Sequence, residues 1–168
     1  IIDLALSLGA DSADAVVGES ASLNVSCRLG QLEDTERSES RELGLRAIIG
    51  QQQAFVSGTA VDAEALQRLA ERAVEMAKAT PADRYCGLAP AERLASKLPN
   101  LDLADDHEPS AAELQTMAQE TEDTARAMAG ITNSEGAGAA WGRGTTALVT
   151  SHGFAGSYSS TSFSLSCS

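Results

Sequence analysis

The chain has 168 residues, 43% of them apolar but only 4% aromatic, and carries 24 acidic against 12 basic side chains for a formal charge of −12. That length can bury one ordinary core or two small ones, filled here mainly by Ala, Leu, Val and Ile. No apolar run nears the roughly 20 residues a bilayer span needs, and no cluster of Lys and Arg offers the counterion exchange that duplex binding draws on, so no membrane or direct nucleic-acid partner is expected.

The opening "IIDLALSLGA" places Ile1, Leu4, Ala5 and Leu8 on one helical face, with Gly9 as the stop. It reads as the end of a helix whose beginning lies outside the chain. After "DSADA" the period drops to two: Leu23, Val25, Cys27 and Leu29 alternate with Asn24, Ser26 and Arg28, as in a half-buried strand. Gly30 turns the chain into "QLEDTERSES", a polar run expected to be a solvated strand or one near a sheet edge. "ELGLRAIIG" then places Leu43, Leu45, Ala47 and Ile49 on one face, and "QAFVSGT" follows the turn at Gly50. Four short strands with tight connections predict an antiparallel meander.

Asp62 is the predicted N-cap of a helix running to about Ala79, with Glu64 in its first turn and an apolar stripe of Leu66, Leu69, Ala73, Met76 and Ala77. Pro81 ends it and opens an extended crossover to Pro109. Ser110 and Glu113 stand in capping-box spacing at the start of a second long helix. Its buried side is read as Leu114, Met117, Ala118, Thr121, Ala125 and Met128, with Glu122 and Arg126 as a surface pair and Gly130 as the stop. The closing stretch reads as strand, turn at Gly153, strand: Ala147 and Val149 alternate with Leu148 and Thr150, then Phe163, Leu165 and Cys167 alternate with serines. The fold class is therefore α+β, an antiparallel β-meander packed with helices and leading into the start of a C-terminal antiparallel β-domain. Residues 1–130 are taken as an N-terminal α+β domain, and 131–168 as strands that continue the sheet or link to a β-domain outside this chain.

Chemical motifs are few. Cys27, Cys86 and Cys167 are far apart and odd in number, unlike zinc pairs or disulfide scaffolds, so reduced structural thiols in a cytoplasmic protein are expected. His107 and Glu108 begin like a zinc-peptidase helix, but Ala111 and Ala112 stand where a second His is needed, and Pro109 interrupts the helix. Ser151 and His152 are adjacent, and neighbours on a strand point to opposite faces, so they make no nucleophile–base pair. "GQLEDTERSE" lacks the spacing of a calcium loop. "GAGAAWGRG" lacks the lysine and context of a phosphate loop, and reads as a hairpin region where Trp141 packs. No catalytic or metal residue is assigned.

Five stretches, "GADSADAVV", "RLGQLEDTERSESRELGLRAIIG", "AVEMAKATPADRYCGLA", "ITNSEGAGAAW" and "SHGFAGSYSSTSFSLS", resemble in order the TldD/PmbA family, and specifically its PmbA (TldE) branch. The resemblance implies that the chain is an N-terminal part of a longer protein. It also implies a noncatalytic role here, in a subunit that pairs with a TldD-like partner to degrade or mature small unfolded peptides, including peptide antibiotics. Zinc is expected in that partner's His-Glu-x-x-x-His motif, where it would polarise a peptide carbonyl and activate water; no cofactor is expected in this segment. Alternatives are a chain that is itself a metallopeptidase with its motif beyond residue 168, a regulator acting on DNA gyrase or toxin systems, and a homodimer when the subunit is alone. Thr150, His152 and Ser164 are the candidate substrate-lining residues, because the strands from Thr145 to Ser166 present small polar faces that would tolerate many peptide side chains.

Overall fold

The computed structural model describes residues 1–168. Its elements are α1 (Ile2–Ser7), β1 (Ser12–Arg28), β2 (Gln31–Ile49), β3 (Gln52–Gly58), α2 (Ala63–Ala79), α3 (Ala111–Arg126), β4 (Ala137–Thr150) and β5 (Ala155–Cys167), with one 3₁₀ turn at Ala91–Arg93. The strands form one sheet in the order β3-β2-β1-β4-β5, so the α+β class holds. Two compact units share these strands: Ile1–Glu19 with Arg41–Asn100 and Thr146–Tyr158, and Ser20–Ser40 with Leu101–Thr145 and Ser159–Ser168.

The meander has three strands where four were expected. "QLEDTERSES" and "ELGLRAIIG" form one continuous β2 of 19 residues, because no Gly, Pro or Asn interrupts the chain between Glu39 and Leu43. β3 pairs only with Leu43–Ile49, and the polar first part of β2 is exposed, as its composition predicts. β1 also starts earlier than the alternation of large residues suggests, at Ser12, with Ala13 and Ala15 buried.

In the first unit, α1 and α2 cover one face of the sheet. The core is largely alanine: Ala13, Ala15, Ala47 and Ala54 on strands meet Ala70, Ala73 and Ala77 on α2, with Leu45, Val56 and Val74 filling between. Ala70, Ala73, Val74 and Ala77 recur at helical spacing and form the buried edge of α2, while Leu66 and Leu69 flank it and Met76 is 41% exposed. The predicted stripe is thus turned towards its small residues, which let helix and sheet approach closely. The Asp62 carboxylate accepts the Ala65 amide at 2.9 Å. At the other end, Gln52 donates to the carbonyls of Lys78 (3.1 Å) and Thr80 (2.6 Å), and the Thr80 hydroxyl donates to the Gln53 carbonyl at 3.1 Å.

In the second unit, α3 lies on the face formed by Leu23, Val25, Cys27, Ala139 and Trp141, using Leu114 and Ala118. "GAGAAWGRG" leads into and forms the first part of β4, one arm of the β4–β5 hairpin, with Trp141 buried as expected; the reversal itself falls at Ser151–Phe154, where Gly153 has φ +86°. The capping box forms: Ser110 Oγ accepts the Glu113 amide at 3.2 Å, and Glu113 accepts the Ser110 amide at 2.7 Å. Met117 and Met128 are exposed. Their expected place is taken by Glu122, which is fully buried instead of forming a surface pair. Its carboxylate accepts the amides of Leu29 (2.8 Å) and Gly30 (2.9 Å). Leu29 accordingly leaves the strand face predicted for it: it sits in the turn with φ +50° and is 50% exposed. The Ser134 hydroxyl and the amides of Gly30 and Leu29 hold the Glu122 carboxyl well down, at about 2. Burial, followed by the Glu122 charge, pushes the Cys27 thiol up, and all three cysteines are free.

Two outcomes follow. Ser110→Ala is expected to lower stability by ~1 kcal/mol, the usual cost of a lost N-cap; an unchanged denaturation midpoint would show the cap to be idle. Glu122 has a folded pKa of about 2 against an ordinary 4.5, so its contribution is full above 4.5 and is lost as pH falls towards 2. Glu122→Gln should therefore melt lower at neutral pH and lose part of the acid destabilisation seen in the parent. Parallel pH–melting curves for the two proteins would contradict this.

Candidate functional site

The crossover after α2 returns across the end of the first unit. The Asp83 amide donates to the Gln51 carbonyl at 2.6 Å, the Tyr85 amide donates to Asp83 Oδ1 at 2.9 Å, and Cys86 Sγ lies 3.9 Å from the Gly50 carbonyl. Beyond it opens a cleft of about 330 Å³, whose lining includes Asp14, Arg46, Arg93, Leu148, Thr150 and Phe154. Arg46 interrupts an apolar run on the sheet face opposite the helices. Its guanidinium pairs with Asp14, through Nε at 3.1 Å and also through Nη2, and reaches Gln53 Oε1 at 3.4 Å. The Asp14 hydrogen bond holds the Arg46 guanidinium up against the opposing effect of burial. The cleft therefore has a charged but internally neutralised pair, the further guanidinium of Arg93, and apolar walls. It can take a mixed polar and apolar chain, but it contains no nucleophile–base set.

Thr150 ends β4 at this cleft. Its amide donates to the Phe154 carbonyl at 2.9 Å, and its hydroxyl accepts the Phe154 amide at 3.3 Å, so the side chain closes the hairpin as well as lining the cleft. Ser151 is held by Ala13: its amide donates to the Ala13 carbonyl at 2.8 Å, and its Oγ accepts the Ala13 amide at 3.0 Å. His152 is exposed in the turn next to it, and no Ser151–His152 hydrogen bond forms. Ser164 belongs to the other unit, exposed on β5. It borders a trough of about 210 Å³ with Leu114, Met117, Phe163 and Leu165, and a cleft of about 250 Å³ with Asn24, Ser26, Asp34 and Ser166. Thr150 and His152 thus share one hairpin, and Ser164 lies at different clefts. Arg46, Arg93 and Phe154 were not singled out in the sequence; the charge within "GLRAII" is the one local signal for any of them.

The residues present do not fit a zinc site. His107 Nε2 lies 3.7 Å from Glu113 Oε1, but Glu113 is engaged in the capping box, where the Ser110 amide and hydroxyl hold its carboxyl down. Glu108 pairs with Arg37 at 2.6 Å. Pro109 is buried just before the cap, and nowhere do three His, Cys, Asp or Glu side chains converge. No helix is long and apolar enough to cross a membrane.

Comparison with known proteins adds a consistent pattern. Residues 13–77 match the profile of "PmbA/TldA metallopeptidase domain 1", and residues 104–168 match "PmbA/TldA metallopeptidase central domain". The chain is 34% identical to the metalloprotease PmbA homolog of Haemophilus influenzae, over 99% of its own length and 37% of that protein's. It is 32% identical to the metalloprotease PmbA of Escherichia coli O157:H7, over 93% of its length and 35% of that protein's. It therefore spans little more than a third of each relative. The crystal structure of a proposed modulator of DNA gyrase from Bacteroides thetaiotaomicron superposes with a TM-score of 0.84 at 20% identity, covering 98% of this chain and 38% of that one.

Purified chain is expected to hold no stoichiometric zinc. Elemental analysis finding about one tightly held metal per chain, as a built protein site gives, would contradict the ligand geometry described above.

Proposed function

Because the chain belongs to the PmbA/TldD metallopeptidase family, we propose that it acts as a PmbA/TldE-like subunit of a TldD-type zinc metallopeptidase assembly, its own residues being noncatalytic. The observation that carries this reading is the ordered match to both family domains, together with 34% and 32% identity to two PmbA proteins over nearly the whole chain. In this reading a TldD-like subunit supplies the zinc and the general base. The present chain helps to assemble the complex and to enclose small unfolded peptides for degradation or maturation, in the cytoplasm. The cleft around Thr150 and the faces of β4 and β5 line the peptide's path. Small hydroxyl and glycine positions there suit a substrate held by its backbone more than by its side chains.

The word metalloprotease in the names of both relatives favours a second reading, in which the complete protein hydrolyses peptides itself with metal ligands outside these residues. Zinc content and peptide cleavage by the complete gene product without a partner separate the two. The name of the Bacteroides protein favours a regulatory reading; with a charge of −12, such a role would run through protein contact and not DNA.

Thr150→Arg and Ser164→Arg, each made in the complete gene product, test the peptide path. Co-purification with the TldD-like partner should persist while cleavage of an unfolded peptide falls several-fold. Normal assembly together with normal cleavage in both variants would remove the path from these strands.

A further inference from the structure

In the first unit Arg46 and Arg93 line the same cleft of about 330 Å³, and Asp14 is the acid that lines it with them. Two cations against one anion leave this lining net positive, in a chain whose total charge is −12. Asp14 is committed to Arg46: it accepts from Nε at 3.1 Å and from Nη2, with 16% of its own side chain exposed. That side-on pair fixes the plane of the guanidinium and leaves Nη1 on the edge away from the carboxylate. There Gln53 Oε1, at 3.4 Å, is the one protein acceptor for its two N–H donors.

Arg93 stands at the end of the 3₁₀ turn Ala91–Arg93, held by a bond from its own amide to the Pro90 carbonyl at 2.9 Å. Its guanidinium is paired with no carboxylate. The Thr150 hydroxyl accepts the Phe154 amide and keeps its own proton to donate. Leu88, Leu94, Leu148 and Phe154, all half-buried, supply apolar wall beside these donors.

A single negative charge balances such a lining, whereas a phosphate dianion would carry excess charge into a chain already at −12. The volume lies at the lower end of the roughly 300–1,000 Å³ of small-ligand sites, enough for a chain end and not for a long segment. Within a peptide only the C-terminal residue bears a carboxylate and an apolar side chain on the same carbon.

We propose that this cleft captures the C-terminal carboxylate of a short peptide whose last residue is apolar. This deepens the peptide-handling role proposed above and rests on it for the nature of the ligand. Arg46 Nη1, Arg93 and the Thr150 hydroxyl take the carboxylate, and the leucine and phenylalanine walls take the last side chain. Asp14 is a positioning residue that holds Arg46 for this task. Capture of a terminal carboxylate reads the end of a chain and leaves the rest of its sequence unread.

The probe is a short alanine peptide ending in leucine, dye-labelled at its N-terminus and titrated by fluorescence anisotropy with the complete gene product. A second probe ends in the leucine amide, and a third ends in aspartate. The acid should bind about tenfold or more tighter than the amide, as loss of charge-assisted hydrogen bonds implies, and the aspartate probe should bind several-fold more weakly. Arg93→Gln should bring the acid down towards the amide with an unchanged melting curve, because this exposed side chain is unpaired; Arg93→Lys should restore part of the preference. Equal binding of acid and amide would overturn the proposal. So would a preference that survives intact in Arg93→Gln, which would put the carboxylate elsewhere in the complete protein. N-acetyl-leucine displacing the probe with the peptide's own affinity would also overturn it, by assigning the cleft to a free small acid. The readout involves neither a TldD-like partner nor cleavage. A protein that binds no probe, yet loses cleavage on Thr150→Arg in the assembly, would remove this site and leave the peptide path standing.

Discussion

Between β1 and β2 the chain reverses at Leu29 and Gly30, both with positive φ, and the two amides exposed by that reversal end on the Glu122 carboxylate. Each side of this contact needs the other. A left-handed leucine costs roughly 1–2 kcal/mol, and a buried carboxylate is tolerated only when its oxygens are satisfied. Gln119, one turn earlier on α3, adds a bond from its side-chain amide to the Gly30 carbonyl at 3.2 Å. Arg28, on the strand side of the turn, donates to the Ser134 carbonyl at 3.3 Å. The end of the hairpin is thereby anchored to α3 and to the segment that leads into β4. The apolar contact of Leu114 and Ala118 with Val25, Cys27 and Trp141 assembles around a fixed polar point.

That anchor shows where sequence reading succeeds and where it stops. Caps were legible because their chemistry is local: Asp62, and Ser110 with Glu113, announce themselves within four residues. Turns at Gly30 and Gly153 were legible for the same reason. Glu122 with Arg126 also fits a local rule, the i,i+4 pair, but two backbone amides more than ninety residues away in the chain offered the carboxylate a better partner. The start of β1 was hidden because Ala13 and Ala15 give little hydropathy contrast. The single long β2 was hidden because a strand solvated on both faces shows no alternation at all.

The cleft was legible only in part. Thr150 was reached from its place at the end of a strand with a small polar face, whereas Arg93 and Phe154 join it through the return of the crossover, which no periodicity reports. The ordered set of family-like stretches carried more information about function than any residue pattern did. The reason is physical as well: the chain holds no convergent ligands or nucleophile–base set whose spacing could be read. What it presents are surfaces: a neutralised ion pair in a mixed cleft and strands faced with serine and glycine.

The alanine seam between α2 and the sheet has a mechanical side. Alanine faces bring a helix and a sheet close together, and Leu45, Val56 and Val74 interlock between them, so displacement of either face is transmitted across the seam. Polar contacts add a further fixing point at one end. Gln52 and Thr80 fasten the last turn of α2 to the start of β3, whereas the Asp62 cap bonds only within the helix itself. The last turn of α2 and the start of β3 therefore move as one piece, and a displacement of either strand or helix there is felt by both.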